Sequence, residues 1–277
     1  MRWSRSRGGA CAASSMTVEL LRVRGLWKRY RRRAGPRSGA GVQALEDVDL
    51  SLTAGSTMAV VGESGSGKST LARCLARLEE PDSGDIQLEG RSLVSLSGPP
   101  LIEARRQIQL IFQDAAMALN PRLGAGEIVE EPLLIMRRGG RRERRRRALE
   151  LLERVGFPAA WEARRPLELS GGQRQRLAIA RALAVEPKVL ILDEALSGLD
   201  LSSQAQIVNL VMDLQAARPL TCLYISHDLG LMARIADEVT VLFRGRVVEH
   251  GGIAAVLGAP RHSHTRGLVA AIPALPA

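Results

Sequence analysis

Gly62-Glu63-Ser64-Gly65-Ser66-Gly67-Lys68-Ser69-Thr70 lies between an apolar run, 58–61, and a stretch of helical periodicity, 67–78. A strand that runs into glycines and then into a helix is the setting in which G-x-x-x-x-G-K-S cradles phosphate. Glycines let the backbone curl so that successive N–H groups point at phosphate oxygens. The following helix adds the positive end of its dipole. Lys68 places a full charge on the outer phosphates, and the Ser69 hydroxyl is a ligand for Mg²⁺. A glycine-rich turn that only caps a helix is the blander alternative.

A nucleotide needs metal support and an activated water as well. Val189-Leu190-Ile191-Leu192-Asp193-Glu194 is an apolar strand ending in two acids. Asp193 is expected beside the phosphate-bound metal at the strand's carboxyl end. Glu194, pointing the other way, is expected to polarise the attacking water. Farther back, Leu169-Ser170-Gly171-Gly172-Gln173 opens a long helix and makes a second anion-binding N-terminus. Two chains arranged head to tail explain a second such site, because each can close the other's nucleotide pocket.

Working outward, strands are expected over 18–23, 48–52, 86–88, 108–112, 189–192 and 221–225. A hairpin is expected over 239–243 and 247–249 across Arg244-Gly245. Helices are expected over 172–183, 203–214 and 229–235. Between about 115 and 176 strand patterns vanish and apolar residues recur at helical spacing over 128–136 and 148–155. Short apolar strands alternating with helices imply a mostly parallel sheet covered on both faces. The expected fold is α/β: a P-loop NTPase core with a mostly parallel sheet, an antiparallel β part and an inserted helical subdomain. The expected boundaries are a core over 17–114 and 177–258, the helical subdomain over 115–176, and a C-terminal extension over 259–277.

These motifs, in this order, resemble the nucleotide-binding subunits of ABC transporters over about residues 17–277. The resemblance implies further roles. Gln113, in Ile111-Phe112-Gln113-Asp114, matches the Q-loop that completes the metal shell and couples it to the helical subdomain. Ser197-Gly198-Leu199-Asp200 matches the D-loop at the dimer interface, and His227 matches the switch histidine on the γ-phosphate. Ser170, Gly171, Gly172 and Gln173 form the signature segment that closes on a partner's ATP. Tyr30 is the candidate for stacking on adenine, with Trp27 the alternative. The implied cofactors are ATP and Mg²⁺. The implied partners are a second ABC ATPase subunit, identical or related, two transmembrane permeases and, indirectly, an extracytoplasmic solute-binding protein. The implied location is the cytoplasmic face of the inner membrane.

Within the family the chain looks most like the dipeptide/oligopeptide and nickel importer group. Leu119-Asn120-Pro121, Glu194-Ala195-Leu196 and Gln204-Ala205-Gln206 carry that likeness. The tail from Pro260 to Leu268 resembles the group's P-x-H-P-Y-T-x-x-L ending but has Ser263 and His264 where Pro and Tyr are usual. His262 and His264, two apart, are weak evidence for a metal site. No Cys follows Cys222, so the iron–sulfur cluster of some relatives is not expected.

Composition fits this reading. The 277 residues, 45% hydrophobic and 25% charged, suit one compact domain with a subdomain. Only 3% are aromatic, so the core must be aliphatic. The net charge of +10 comes from arginine, with lysine only at 28, 68 and 188. Such a bias is compositional, and no nucleic-acid partner is expected. Arg141–Arg147, broken by Glu143, reads as the solvated face of a helix. Cys11, Cys74 and Cys222 lack disulfide or metal spacing and suit a reducing compartment. Residues 1–16 read as a leader or as a start set upstream of Met16. Two competing readings are a soluble ABC ATPase acting on ribosomes or DNA, and a P-loop kinase. The first usually has two cassettes or a long coiled-coil insertion, and the second leaves the signature segment and His227 unexplained.

Overall fold

The computed structural model describes residues 18–30 and 41–272. The expected leader over 1–16 lies outside the described residues, as does nearly all of 31–41, whose Arg, Gly, Pro, Ser and Ala residues read as a connection. In chain order the strands are β1 (Glu19–Tyr30), β2 (Val42–Thr53), β3 (Thr57–Val61), β4 (Ser83–Leu88), β5 (Arg91–Ser92), β6 (Ile108–Ile111), β7 (Val189–Asp193), β8 (Thr221–Ser226), β9 (Glu238–Phe243) and β10 (Arg246–Gly252). The helices are α1 (Lys68–Leu75), α2 (Gly98–Gln107), α3 (Ala115–Ala118), α4 (Ala125–Ile135), α5 (Arg141–Arg154), α6 (Gly171–Leu183), α7 (Leu201–Ala217), α8 (Leu229–Ile235), α9 (Ile253–Gly258) and α10 (Ser263–Ala270). Two 3₁₀ turns, Ala159–Trp161 and Pro166–Glu168, lead into α6.

The fold is α/β with both parallel and antiparallel strands, and it divides into two compact units. Among the described residues, one comprises 106–220 and the other 18–30, 41–105 and 221–272.

The second unit holds two sets of strands. β2, β1, β4 and β5 pair antiparallel in that order. β3 pairs parallel with both β8 and β9, and β10 closes antiparallel on β9. All five residues of β3 are buried, as expected of a parallel strand covered on both faces. β1 is longer than the 18–23 read from pattern. Gly25 takes a positive φ and its N–H donates to Asp49 Oδ1 at 2.9 Å. Register shifts on either side of Leu26 then break the period of two, hiding the rest of the strand. Arg244 and Gly245, both at positive φ, join β9 to β10 as a two-residue hairpin requires.

The first unit pairs β6 with β7 in parallel. From Ala115 to Leu183 its regular elements are all helical. Ile128, Leu133, Leu177 and Ile179 are fully buried and anchor α4 and α6. The arginine run of α5 is not wholly solvated. Consecutive residues advance 100° around a helix, so a run this long cannot share one face. Arg144 turns inward: its side chain is 15% exposed, Nε lies 3.3 Å from Glu130 Oε1, and Nη1 donates to the Gly139 carbonyl.

Candidate active site

The candidate phosphate loop, residues 62–70, begins where β3 ends. Gly62 has φ 156° and Gly67, which starts α1, has φ 108°. A Cβ on Gly62 would sit 2.1 Å from the Leu242 carbonyl oxygen, and one on Gly67 would sit 2.3 Å from that of Ala44. Both approaches are to backbone, so no side-chain rearrangement relieves them. Lys68, only 4% exposed, donates from Nζ to the carbonyls of Gly62 at 2.8 Å and Glu63 at 2.7 Å. The lysine therefore closes the turn it belongs to. Gly245 N–H donates to the Ser66 carbonyl at 2.9 Å, tying the loop to the β9–β10 hairpin. No acid occupies the first turn of α1, which leaves its positive end uncompensated by side chains of that turn. Ser69 is half-buried there, Thr70 is buried, and Ser64 and Gly65 are exposed.

His227 belongs to the same unit. Ser226, the last residue of β8, lies opposite Val61, the last of β3. His227 and Gly62 therefore leave neighbouring parallel strands at the same end, where α/β sheets bind ligands. His227 is exposed. Asp228 caps α8, accepting from Leu231 N at 2.8 Å, and its own N–H donates to Ser226 Oγ.

Tyr30, at the end of β1, is 37% exposed. Its hydroxyl donates to Glu79 Oε2 and lies 3.4 Å from Thr70 Oγ1. Partial burial and the Glu79 carboxylate push the phenol above its ordinary pKa. Lys28 Nζ sits 5.8 Å from the ring centroid. Glu79 carries no motif, and sequence reasoning passed over it. Trp27 is half-buried on the same strand, in register with Ser83 of β4.

In the first unit, Ile111 pairs with Leu192 at the carboxyl ends of β6 and β7. Gln113 and the Asp193-Glu194 pair therefore follow adjacent strand ends. Asp193 is 5% exposed, whereas Gln113 is exposed. Glu194 is half-buried with φ 47°, a left-handed conformation uncommon for a residue with a Cβ. Ser197 holds that turn: both its N–H, at 3.0 Å, and its hydroxyl, at 2.7 Å, donate to the Glu194 carbonyl.

The Ser170 segment caps α6 reciprocally. Gln173 N–H donates to Ser170 Oγ at 3.3 Å, and Ser170 N–H donates to Gln173 Oε1 at 2.8 Å. A Cβ on Gly171 would lie 3.3 Å from Leu199 Cδ2, and one on Gly172 would lie 2.9 Å from Ser203 Oγ. Asp200 caps α7, accepting the Ser203 N–H at 2.9 Å and its hydroxyl at 2.7 Å. Those bonds hold the Asp200 carboxyl below its ordinary range. The structure thus brings the Ser170 and Asp200 segments into contact through Leu199 and Ser203. Ser203 had no assigned role; the D-x-x-S spacing of a helix cap was the available signal for it.

A family model described as "ABC transporter" matches residues 45–197. The chain belongs to the ABC transporter family. "Probable peptide ABC transporter ATP-binding protein y4tS" of Sinorhizobium fredii (strain NBRC 101917 / NGR234) is 46% identical over 260 residues, covering 93% of this chain and 74% of that one. "Glutathione import ATP-binding protein GsiA" of Salmonella typhimurium is 46% identical over 256 residues, covering 92% of this chain but only 41% of that one. Among solved structures, the ATP-binding cassette MJ0796 in a dimeric post-hydrolysis state with ADP and Pi superposes with a TM-score of 0.75. It is 31% identical, with 84% of this chain and 99% of that chain covered. The cassette cbiO1 of Clostridium perfringens, part of the transporter complex cbiONQ, gives a TM-score of 0.75 at 29% identity, covering 87% and 91%. The chain is an ABC-type ATPase with the P-loop α/β fold of these cassettes. No helix among its described residues is long and apolar enough to cross a membrane.

Proposed function

We propose that this ABC ATPase drives solute import, with peptides of two to several residues as the cargo. The observation that carries the reading is the likeness to the peptide transporter subunit at 46% identity over 93% of the chain. The glutathione importer, whose cargo is itself a small peptide, supports the same class. Nickel is the alternative cargo within the group.

The residues are assigned as follows. Tyr30 stacks on adenine. Gly62 to Thr70 cradle the phosphates, with Lys68 on the outer ones. Glu194 takes a proton from the attacking water, and His227 contacts the γ-phosphate. Ser170, Gly171, Gly172 and Gln173 close on the ATP of a second subunit, and Asp200 stands at that contact. Ser69, Gln113 and Asp193 would hold Mg²⁺. They are hard oxygen donors, and a magnesium site completed by phosphate and water needs few protein ligands. Bound there, the ion would offset phosphate charge.

The helical stretch over 115–176 passes the motion to two permeases, and a binding protein outside the cell delivers the solute. The second ATPase subunit is a related chain rather than an identical one, and the assembly sits on the cytoplasmic face of the inner membrane. Uptake of a radiolabelled tripeptide and of ⁶³Ni²⁺ by cells carrying Lys68→Ala in this chain tests the cargo. Loss of tripeptide uptake alone is expected; loss of nickel uptake alone contradicts the peptide assignment.

A further inference from the structure

The last described helix of this ATPase returns to the phosphate loop, and no role assigned above uses it. Glu249 on β10 accepts the backbone N–H groups of Arg261 at 2.8 Å and His262 at 3.0 Å. His262 Nδ1 accepts the His264 N–H at 3.1 Å and caps α10. These bonds fix the chain as it comes back over β9. The His264 ring stacks on Phe243, with centroids 4.2 Å apart and planes 31° from parallel. Its side chain is only 10% exposed. Nδ1 lies 3.8 Å from Glu63 Oε1, and Nε2 is buried without a hydrogen-bond partner among the described residues. Phe243 follows Leu242, whose carbonyl backs Gly62, and precedes the Arg244-Gly245 turn that holds Ser66.

We infer that His264 is a positioning residue for nucleotide binding, acting through Glu63. Glu63 lies in a loop, and its side chain is 66% exposed, so little else restrains it. Its backbone carbonyl, however, accepts from Lys68 Nζ and from the Ser66 N–H at 3.2 Å. Fixing the Glu63 side chain restricts the rotation of that residue and so fixes the carbonyl that aligns Lys68. The imidazole suits this task because stacking on Phe243 and burial hold it in one orientation before nucleotide arrives. The inference rests on reading residues 62–70 as the phosphate cradle.

The test is a double-mutant cycle in the full chain, with the dissociation constant of a fluorescent N-methylanthraniloyl-ATP as readout. His264→Phe keeps the ring on Phe243 and removes the nitrogen facing Glu63. It also removes the unpartnered Nε2, so the thermal midpoint is expected to hold or rise. The dissociation constant is expected to rise about fivefold, the scale of one solvent-exposed polar contact. Glu63→Gln is expected to weaken binding by a similar factor, and the double variant to bind no worse than either single one. His264→Asn, which keeps a donor near the Nδ1 position, is expected to bind like the parent. An unchanged constant in His264→Phe overturns the inference, and so does a double variant whose loss is the product of the two single losses. Lys68→Ala is measured alongside. If it too binds normally, the phosphate-cradle reading fails; if it alone loses binding, only the role of His264 falls.

Discussion

Asp200 and Ser203 are joined twice: the carboxylate accepts both the backbone N–H and the hydroxyl of Ser203, at 2.9 and 2.7 Å. The same hydroxyl fills the space a Cβ on Gly172 would need. The Ser170 segment and the Asp200 turn are thereby one packed piece, and a change in either is felt by the other.

Gly172→Ala is expected to displace Ser203 from Asp200, because Ser203 Cβ as well as Oγ stands within 3.0 Å of the new methyl group. Overpacking of this kind costs about 1–3 kcal/mol. Thermal unfolding should show a midpoint several degrees lower. An undisturbed midpoint in the single variant contradicts the packing argument.

Acid should loosen the same turn. Hydrogen bonds to its carboxylate depress the pKa of Asp200 in the folded protein. Its contribution is therefore present above the ordinary aspartate pKa and is lost as pH falls through the depressed value. In Asp200→Asn, whose amide caps without titrating, the decline in thermal midpoint below pH 4 should be shallower than in the parent. Parallel pH curves for the two proteins are the opposing outcome.

Glu194→Gln is expected to leave ATP affinity within twofold of the parent while lowering turnover about 10²- to 10⁴-fold, the usual worth of a positioned base. Single-turnover phosphate release separates the two effects. Turnover retained within tenfold would move the base elsewhere.

Tyr30→Ala is expected to weaken ATP and ADP binding alike, by about tenfold, in line with stacking energies of ~1–3 kcal/mol per base. Tyr30→Phe keeps the ring and loses only the hydroxyl's contacts with Glu79 and Thr70, so its effect should be smaller. If Trp27→Ala produces the loss and Tyr30→Ala does not, the stacking surface is Trp27.

Cys74 and Cys222 are buried, and burial pushes the Cys74 thiol up to about 12. Thiolate is the reactive form. In a Cys11→Ser background, Ellman's reagent at pH 8 should react with the folded chain far more slowly than with the chain in denaturant. Fast labelling of the folded chain would show that the core around α1 opens.

Much of this was readable from residues alone, for reasons that differ by element. β3 and β7 are buried on both faces, so each is a short apolar run ending in candidate site residues. The Gly62–Thr70 spacing carries its own stereochemistry. α2 was not legible: of its residues only Ala104 is buried, so it shows no apolar stripe. β1 was cut short because its register shifts erase the alternation beyond Val23. Glu79, Ser203 and His264 were missed as supports because what each supports is distant in sequence or held by ordinary capping chemistry. His264 in particular gains meaning only from the return of α10 to Glu63.

The proposed function requires that ATP bind for hydrolysis at Lys68 and its loop. Isothermal titration of ATP with Mg²⁺ into the purified chain and into Lys68→Ala measures this most directly. Saturable one-site binding in the parent and at least a tenfold loss in the variant are expected. Equal affinity in the two proteins would contradict that requirement.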